Sequence, residues 1–188
     1  MLKKVIASLE NSEIRKMGDY DYVITPLLDG IPSFDPILLR EIVNVIKRKI
    51  DLSNIDKILC IESMGIPFAT ALSLDTEIPF EIIRKRKYDL PGEVQVNQET
   101  GYSKGNLYIN YLKKGEKVII IEDVVSTGGT LIATINTLKN MGIEISNVIA
   151  IVEKYGGKKT VEKETGVPLL TMVKLNITNG KIMVKSLV

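Results

Sequence analysis

Two adjacent carboxylates and a run of hydroxyl residues and glycines lie close together in the middle of the chain. Glu122 and Asp123 follow the apolar residues 118–121, and Ser126, Thr127, Gly128, Gly129 and Thr130 come shortly afterwards. The apolar run predicts a strand buried on both faces, and Leu131 begins a segment with helical periodicity. Glycines let peptide N–H groups converge on one point, where the helix directs its positive dipole end. We therefore expect a phosphate monoester at residues 126–130.

The acidic pair calls for a different ligand group, because carboxylates beside a phosphate would repel it. Ribose 2′ and 3′ hydroxyls are suitable donors, so we expect Glu122 and Asp123 to bind a ribose between the phosphate and the strand end. Two other phosphate loops are excluded, since the chain has neither Gly-x-x-x-x-Gly-Lys-Ser/Thr nor Gly-x-Gly-x-x-Gly after a strand. The alternative is a strand and turn that are merely rich in Gly and Thr.

Length and composition predict one globular domain over residues 1–188. The chain is 45% hydrophobic and 26% charged, with a net charge of +2 that is too small to indicate nucleic-acid binding. No apolar run is long enough to span a membrane, and the N-terminus is unlike a signal peptide, so we expect a cytoplasmic protein. Histidine is absent, which excludes Ser-His-Asp and Cys-His catalysis. The single Cys60 is expected to be a buried small residue.

A second loop of the same kind follows another predicted strand, at residues 57–61. Glu62, Ser63, Met64 and Gly65 come directly after it, and residues 68–74 are helical in pattern. Parallel strands place such loops at one carboxyl edge of the sheet, where ligands bind. We expect one of the two loops to bind a monophosphate and the other to bind a pyrophosphate. Taken alone, residues 62–65 also suit an ordinary strand–helix turn.

Basic and aperiodic segments follow a third predicted strand, at residues 80–84. Arg84 and Lys87 belong to four consecutive basic residues that point toward the expected polyphosphate, although a solvated edge is the alternative. Residues 88–105 are polar and without period, as in a functional lid or a disordered loop. We favour a lid, because a reacting sugar must be shielded from water.

The remaining segments predict an α/β fold with a mainly parallel sheet flanked by helices. Predicted helices are at residues 1–10, 36–50 (capped by Asp35), 131–141 and 158–165, and further extended segments are at residues 20–30, 107–109, 148–152, 169–175 and 181–184. Asp29-Gly30 predicts a turn, and Asn179-Gly180 predicts a hairpin.

The central run resembles the phosphoribosyl pyrophosphate motif of type I phosphoribosyltransferases, in which an apolar strand, two acids, two small or apolar residues and a variable position precede Thr-Gly-Gly-Thr. Residues 22–29 resemble the hood of adenine phosphoribosyltransferases, and residues 84–92 resemble their strand and lid. Residues 62–66 are similar to the pyrophosphate loop of the adenine and xanthine enzymes. Taken together, the chain most resembles the archaeal hypoxanthine/guanine phosphoribosyltransferases.

This resemblance implies a type I fold, with a small hood from about residues 1–35 and C-terminal segments, and a flexible lid. It implies a cytoplasmic pentosyltransferase of purine salvage that transfers ribose 5-phosphate from phosphoribosyl pyrophosphate to hypoxanthine or guanine, giving IMP or GMP. Mg²⁺ would be held largely by ligand oxygens and water, with no dedicated protein metal site. A homodimer is expected. Arg84, Lys87 and residues 62–65 would bind pyrophosphate.

Lys154 indicates which base is used. An ammonium group only donates hydrogen bonds, so it favours the O6 carbonyl of hypoxanthine, guanine or xanthine over the 6-amino group of adenine. The alternative is a surface ion pair with Glu153. We also expect Tyr155 to stack on the purine, and Asp29 or Tyr22 in the hood to touch it.

Two departures from the family patterns leave the general base open. Most 6-oxopurine enzymes have Asp at the variable position that Ser126 occupies here, and adenine enzymes have Glu where this chain has Gly101. Glu99 is our candidate base, alongside Glu122 and Asp123 as catalytic residues, although a solvated lid residue is the alternative. An adenine or xanthine phosphoribosyltransferase, and a transcriptional regulator that senses phosphoribosyl pyrophosphate, also remain open.

Overall fold

The computed structural model describes the backbone of residues 2–18, 20–99 and 104–188, and their side chains except those of residues 20, 98, 99 and 104. In chain order the elements are α1 (Lys3–Glu10), β1 (Glu13–Met17), β2 (Tyr20–Ile24), α2 (Pro26–Asp29), α3 (Pro36–Lys49), β3 (Lys57–Ile61), α4 (Gly65–Thr76), β4 (Phe80–Ile83), β5 (Val94–Glu99), β6 (Lys104–Ile109), β7 (Lys117–Val125), α5 (Gly129–Asn140), β8 (Glu144–Glu153), α6 (Gly157–Thr165), β9 (Leu169–Thr178) and β10 (Lys181–Ser186).

Six strands form the central sheet, in the order β10-β9-β8-β7-β3-β4. All neighbouring strands are parallel except β9 and β10, which are joined by the predicted turn at Asn179-Gly180 with φ values of 52° and 69°. The predicted α/β fold with a mainly parallel sheet is confirmed. Because β7 lies in the middle, the loops after β7 and β3 leave the sheet side by side at its carboxyl edge.

Both faces of the sheet are covered, as the apolar run in β7 predicts. Ile119 and Ile121 pack into a cluster that includes Phe68 of α4, whereas Ile120 packs with Ile135 of α5 on the opposite face. These side chains are fully buried, which fixes the register of β7 and therefore the positions of the residues that follow it. None of the described helices is long and apolar enough to cross a lipid bilayer.

The N-terminal region differs from the expectation of one extended segment and a turn. β1 and β2 form an antiparallel hairpin, and residues 26–29 form the one-turn helix α2. Pro26 occupies the first helical turn, where its missing N–H is not needed. The helix ends at Gly30, whose φ of 70° suits glycine. α1 packs against α3 and β10, so the N- and C-terminal segments are in contact, and the assignment of a hood to them stays a prediction.

Residues 88–105 are not an aperiodic loop throughout, because β5 and β6 form an antiparallel hairpin within residues 94–109. Val96 lies opposite Leu107, and both are buried against the core on the α5 side of the sheet. The alternation of Val94 and Val96 with polar residues is typical of a strand. The prediction overlooked it because the segment as a whole is polar. The prediction is therefore corrected for residues 94–99 and 104–105, which belong to a pair of antiparallel strands, and β5 of this pair packs on α5.

Candidate functional site

The acidic pair lies inside β7 rather than after it. The strand continues four residues beyond the predicted end at residue 121, because Glu122 and Val124 still pair with Ala150 and Val152 of β8. Glu122 and Asp123 are each 9% exposed. They line a cleft of about 380 Å³ that also contains residues from the loops after β3 and β7. The structure therefore places both acids next to both predicted phosphate loops.

Burial makes the acidic pair costly in the absence of a ligand. It raises the pKa of Glu122 well above its usual range, and the neighbouring Asp123 raises it further. Burial also raises the pKa of Asp123. Glu122 Oε2 is buried and has no hydrogen-bond partner among the described residues. The pair is thus suited to a ligand that supplies hydroxyl donors or positive charge.

The loop between β7 and α5 has the backbone shape that a phosphate site requires. Gly128 has a φ of 89° and precedes α5, which begins at Gly129, two residues before the predicted start at Leu131. Residues 126–130 all line the cleft, so the N-terminus of α5, which is the positive end of its dipole, lies at that space. The structure brings together all five residues predicted to bind a phosphate monoester.

Gly157 supports this loop from the next strand–helix unit, a role that is not among the sequence predictions. A Cβ atom at Gly157 would lie 2.2 Å from Ser126 O, and one at Gly128 would lie 2.6 Å from Val161 Cγ2. The start of α6 therefore packs directly on the backbone of the loop at residues 126–130. The Gly156-Gly157 pair after a predicted strand was the available sequence signal.

The loop after β3 reaches the same cleft. Glu62, Ser63 and Met64 line it, and the Glu62–Ser63 peptide bond is cis. α4 begins at Gly65, three residues before the predicted helix. A Cβ atom at Gly65 would lie 2.8 Å from Ile121 O, so only glycine allows this loop to approach β7 so closely. The predicted pyrophosphate loop thus lies beside the acidic pair.

The basic run divides into residues near the cleft and residues away from it. Arg84 Nε lies 3.1 Å from Glu62 Oε2 as an ion pair, and the backbone N–H of Lys85 donates to the same oxygen at 3.0 Å. Lys85 lines the cleft. The exposed Lys87 instead pairs with Asp89. The structure therefore adds Lys85 to the predicted site, and it does not bring Lys87 into the cleft lining.

Lys154 is buried at the end of β8, with only 8% of its surface exposed. Burial lowers its pKa, and the nearby charges of Asp29 and Asp123 partly oppose this. Its backbone N–H donates to Val125 O at 2.8 Å, which fixes the end of β8 beside β7. A surface ion pair with Glu153 is excluded, because Glu153 is also buried and accepts a hydrogen bond from the Thr171 hydroxyl.

The hood residues predicted to touch the base lie near Lys154. The Tyr22 hydroxyl donates to Asp29 Oδ1 at 2.7 Å, and the Thr25 backbone N–H donates to Asp29 Oδ2 at 3.0 Å. Burial raises the pKa of Tyr22 to about 12, and the charges of Asp29 and Asp123 contribute. Tyr22, Asp29, Lys154 and Asp123 therefore share one electrostatic environment, although they come from distant parts of the sequence.

Comparison with known proteins assigns the family. Residues 34–177 match the model of the phosphoribosyl transferase domain. The chain belongs to this family. The predicted recognition is therefore confirmed, and the match covers the two loops, the acidic pair and Lys154.

Relatives and solved structures of other phosphoribosyltransferases cover nearly the whole chain. It is 53% identical to a hypoxanthine/guanine phosphoribosyltransferase of Methanothermus fervidus, over 98% of this chain and 97% of the relative. It is 50% identical to one of Methanotorris igneus, over 94% and 97%. The adenine phosphoribosyltransferase structure from Thermoanaerobacter pseudethanolicus superposes with a TM-score of 0.72 at 20% identity, covering 91% of this chain and 98% of that one. The type I phosphoribosyltransferase fold is confirmed.

Two predicted site residues of this phosphoribosyltransferase have less support from the geometry. Glu99 ends β5, but its side chain lies outside the described residues, as do Gly101 and Tyr102, so its assignment as general base stays a prediction. Tyr155 has a φ of 52° and is 69% exposed. Its position directly after Lys154 is compatible with stacking on a base, and this assignment also stays a prediction.

Proposed function

We propose that this phosphoribosyltransferase is a purine salvage enzyme that converts hypoxanthine and guanine, with phosphoribosyl pyrophosphate, into IMP and GMP. The observation that carries the proposal is a buried lysine, Lys154, whose charge interacts with Asp123 at the same sheet edge as the two phosphate loops. Relatives about 50% identical over nearly their full length have this named activity.

The sugar phosphate fits the cleft in one direction. The 5′-phosphate binds at residues 126–130, where backbone N–H groups and the start of α5 provide positive potential. The ribose hydroxyls then donate to Glu122 and Asp123, which relieves the unpartnered Glu122 oxygen. The pyrophosphate lies against Ser63, Met64 and the basic side chain of Lys85. This direction places the anomeric carbon between the pyrophosphate loop and the base site.

The base site reads a 6-oxopurine through Lys154. An ammonium donor pairs with the O6 carbonyl, and a buried donor that faced the 6-amino group of adenine would stay unpaired. Because Lys154 is almost fully buried, such a mismatch has a large cost. Tyr22 and Asp29 complete the polar edge of this site, and Tyr155 stacks on the purine ring.

Mg²⁺ is the proposed cofactor. Glu122 and Asp123, with an unpartnered oxygen at Glu122 Oε2, offer oxygen ligands of the kind Mg²⁺ prefers, and the remaining ligands would come from the substrate and water. When bound, the ion would neutralise charge on the departing pyrophosphate. No group of three or more metal-ligating side chains occurs in the part of the chain that the structure describes.

The chain's own groups account for stabilisation of the reacting sugar. As the bond between the anomeric carbon and the pyrophosphate oxygen lengthens, positive charge develops at the sugar ring, and the adjacent carboxylates of Glu122 and Asp123 interact favourably with it at low dielectric. The purine nitrogen then bonds to this carbon, and pyrophosphate leaves with the bonding electrons. The β5–β6 hairpin lies on the α5 side of the cleft, and Leu107 of this hairpin lines the cleft. With residues 88–105 acting as the lid, water is kept from the sugar. Glu99 is the proposed base for the purine proton.

We further propose a cytoplasmic homodimer that binds neither nucleic acid nor membranes. The net charge of +2 gives little basis for nucleic-acid binding. Sedimentation velocity at micromolar protein concentration should show a single species of twice the 20.9 kDa chain mass. A monomer alone at that concentration would rule out the dimer.

A base-competition assay tests the function. Purified protein with Mg²⁺ and phosphoribosyl pyrophosphate receives equimolar hypoxanthine, guanine, xanthine and adenine, and the nucleotides are separated by chromatography. IMP and GMP without AMP is the expected result. AMP alone would overturn the base assignment made from Lys154, and no nucleotide of any kind would favour a sensor of phosphoribosyl pyrophosphate. The matched control uses the variant Asp123→Asn.

A further inference from the structure

We propose that Asp29 determines which 6-oxopurine is accepted, by taking the N1–H proton donor of the base and rejecting the 2-oxo group of xanthine. This inference rests on the proposed function and adds a selectivity residue to it. The observation behind it is that a carboxylate held by two hydrogen bonds lies on α2, which packs against β7, and that the buried Lys154 is bonded through its backbone to Val125 at the end of the same strand.

Asp29 is held in a defined orientation. Its two carboxylate oxygens each accept one hydrogen bond, from the Tyr22 hydroxyl at 2.7 Å and from the Thr25 backbone N–H at 3.0 Å. A carboxylate has about four acceptor positions, so both oxygens keep capacity for further donors. Asp29 is the last residue of α2 and is half-buried. The carboxylate is therefore preorganised and still able to bind a ligand donor.

The placement of α2 brings this carboxylate to the reaction centre. α2 packs against β7, and Gly30, the next residue, is so close to the pyrophosphate loop that a Cβ there would lie 3.7 Å from Met64 Cε. The charge of Asp29 also acts on Lys154 and Asp123. The backbone next to Asp29 is thus close to the predicted pyrophosphate loop, and the Asp29 carboxylate is near enough to the predicted O6 donor to interact with its charge. In this proposal the six-membered ring of the purine binds against that carboxylate.

A lysine and a carboxylate along one edge of a purine can form hydrogen bonds with two neighbouring groups, O6 and N1–H. Hypoxanthine presents O6 as an acceptor for Lys154 and N1–H as a donor for Asp29, and guanine adds a second donor at its 2-amino group. Xanthine places a carbonyl oxygen at that position, next to the negative charge of Asp29. Adenine has an acceptor at N1 and a donor at its 6-amino group, so both contacts are reversed. The pair therefore favours guanine and hypoxanthine over both other bases.

The test compares Asp29→Asn with the wild-type enzyme, using kcat/KM for guanine, hypoxanthine and xanthine. An asparagine can turn its NH2 group toward the xanthine 2-oxo group while its oxygen still accepts from Thr25, so the xanthine-to-guanine ratio should rise about tenfold or more. The rise should come mainly from KM for the base, with KM for phosphoribosyl pyrophosphate little changed. Asp35→Asn is the matched control, because Asp35 caps α3 through Ile37 N and asparagine caps equally well.

A second measurement needs no variant and covers the case in which Asp29→Asn does not fold. Wild-type protein should bind GMP at least about tenfold more tightly than XMP by calorimetry. Equal affinity for GMP and XMP, or a folded, active Asp29→Asn variant with an unchanged xanthine-to-guanine ratio, would overturn the role of Asp29 alone. A wild-type protein that makes no IMP or GMP would overturn the proposed function and the role of Asp29 together.

Discussion

The two ends of the cleft are built in different ways. The phosphate end consists of two short contiguous segments: residues 62–65, which follow β3, and residues 122–130, which comprise the end of the neighbouring parallel strand β7 and the loop into α5. The base end that we propose lies beside the cleft lining and comprises Tyr22, Asp29 and Lys154, which come from the N-terminal region and from the residue after β8. One end is determined mostly by local backbone geometry, and the other depends on tertiary packing between distant elements.

This difference has a chemical cause. A phosphate can be bound by backbone N–H groups and a helix N-terminus, so the essential property of residues 126–130 is their backbone shape. A purine is recognised by the pattern of donors and acceptors along its edge, and only positioned side chains can match that pattern. Substitutions at the phosphate end should therefore affect all bases equally, whereas substitutions at the base end should change the choice of base.

Asp123→Asn should have the largest effect. It removes a buried acceptor for the ribose hydroxyls and a negative charge beside the developing positive charge, so we expect kcat/KM to fall about 1,000-fold or more. The loss should be the same for hypoxanthine and guanine, since the acid acts on the sugar. Steady-state kinetics and circular dichroism would measure activity and fold on the same preparation.

The matched control for this acid is Asp75→Asn, at an exposed carboxylate that pairs with Lys47. It should keep wild-type rates, because surface ion pairs contribute little. A folded Asp123→Asn enzyme with full activity would show that Asp123 is not needed for the reaction. It would also contradict the expectation that substitutions at the phosphate end lower activity with every base.

Lys154→Ala tests the base end. Loss of a buried, charged donor should lower kcat/KM for hypoxanthine and guanine about 10- to 100-fold, while KM for phosphoribosyl pyrophosphate changes little. Measuring KM for each substrate separately distinguishes the two ends. Lys163→Ala is the control, at a lysine whose side chain is 84% exposed. An equal loss for base and sugar phosphate would count against a base-reading role.

The same contrast explains what could be predicted from sequence. The strand at 118–121, the acidic pair and residues 126–130 are adjacent in the chain, so their meeting at a sheet edge follows from a strand–loop–helix pattern. The proximity of Asp29 to Lys154 could not be derived in this way, because it depends on how α2 packs on β7. Resemblance to a family pointed to these residues, and the structure shows that their charges interact.

The errors in the fold prediction have a related cause. β1 was missed because its five residues, Glu-Ile-Arg-Lys-Met, are almost all exposed and lack an apolar pattern. β7 was predicted too short, since acidic residues are rare in buried strands and usually indicate that a strand has ended. Local composition was overridden in both cases by pairing with a neighbouring strand.

Gly157→Ala should have a smaller effect, confined to the phosphate end. Its Cβ would be 2.2 Å from Ser126 O, so the loop at residues 126–130 must shift. We expect stability to fall by about 1–3 kcal/mol and KM for phosphoribosyl pyrophosphate to rise roughly tenfold, without a change in base preference.

The neighbouring glycine provides the control for this substitution. Gly156 has a φ of 75°, and a Cβ added there would have no atom of the described residues within 4 Å, so Gly156→Ala should cost about 1–2 kcal/mol from backbone strain alone. Its KM for phosphoribosyl pyrophosphate should stay close to that of the wild type. Thermal unfolding and kinetics on both variants separate strain from loop displacement, and equal KM values would remove Gly157 from the support of the loop.

Glu122→Gln should have the smallest effect, on the stability of the ligand-free protein. Burial raises the pKa of Glu122 above its unfolded value, so between these two pKa values the folded state binds more protons and stability decreases as pH rises. Glutamine carries no charge, and its amide oxygen can accept the Asp123 backbone N–H that Glu122 Oε1 accepts at 3.3 Å. The variant should therefore have a higher Tm than the wild type at pH 8, by about 2–4 °C for each kcal/mol removed, and the difference should vanish near pH 4.

Calorimetry at pH 4 and pH 8 checks this, with Glu164→Gln on the exposed surface of α6 as the control. A stability gain at pH 8 together with lost activity would mean that the phosphate end holds an unfavourable charge that substrate relieves. The same Tm difference at both pH values would show that burial does not penalise the Glu122 carboxylate. The two ends would then differ in how they recognise their ligands, but neither would lower the stability of the ligand-free protein through a buried charge.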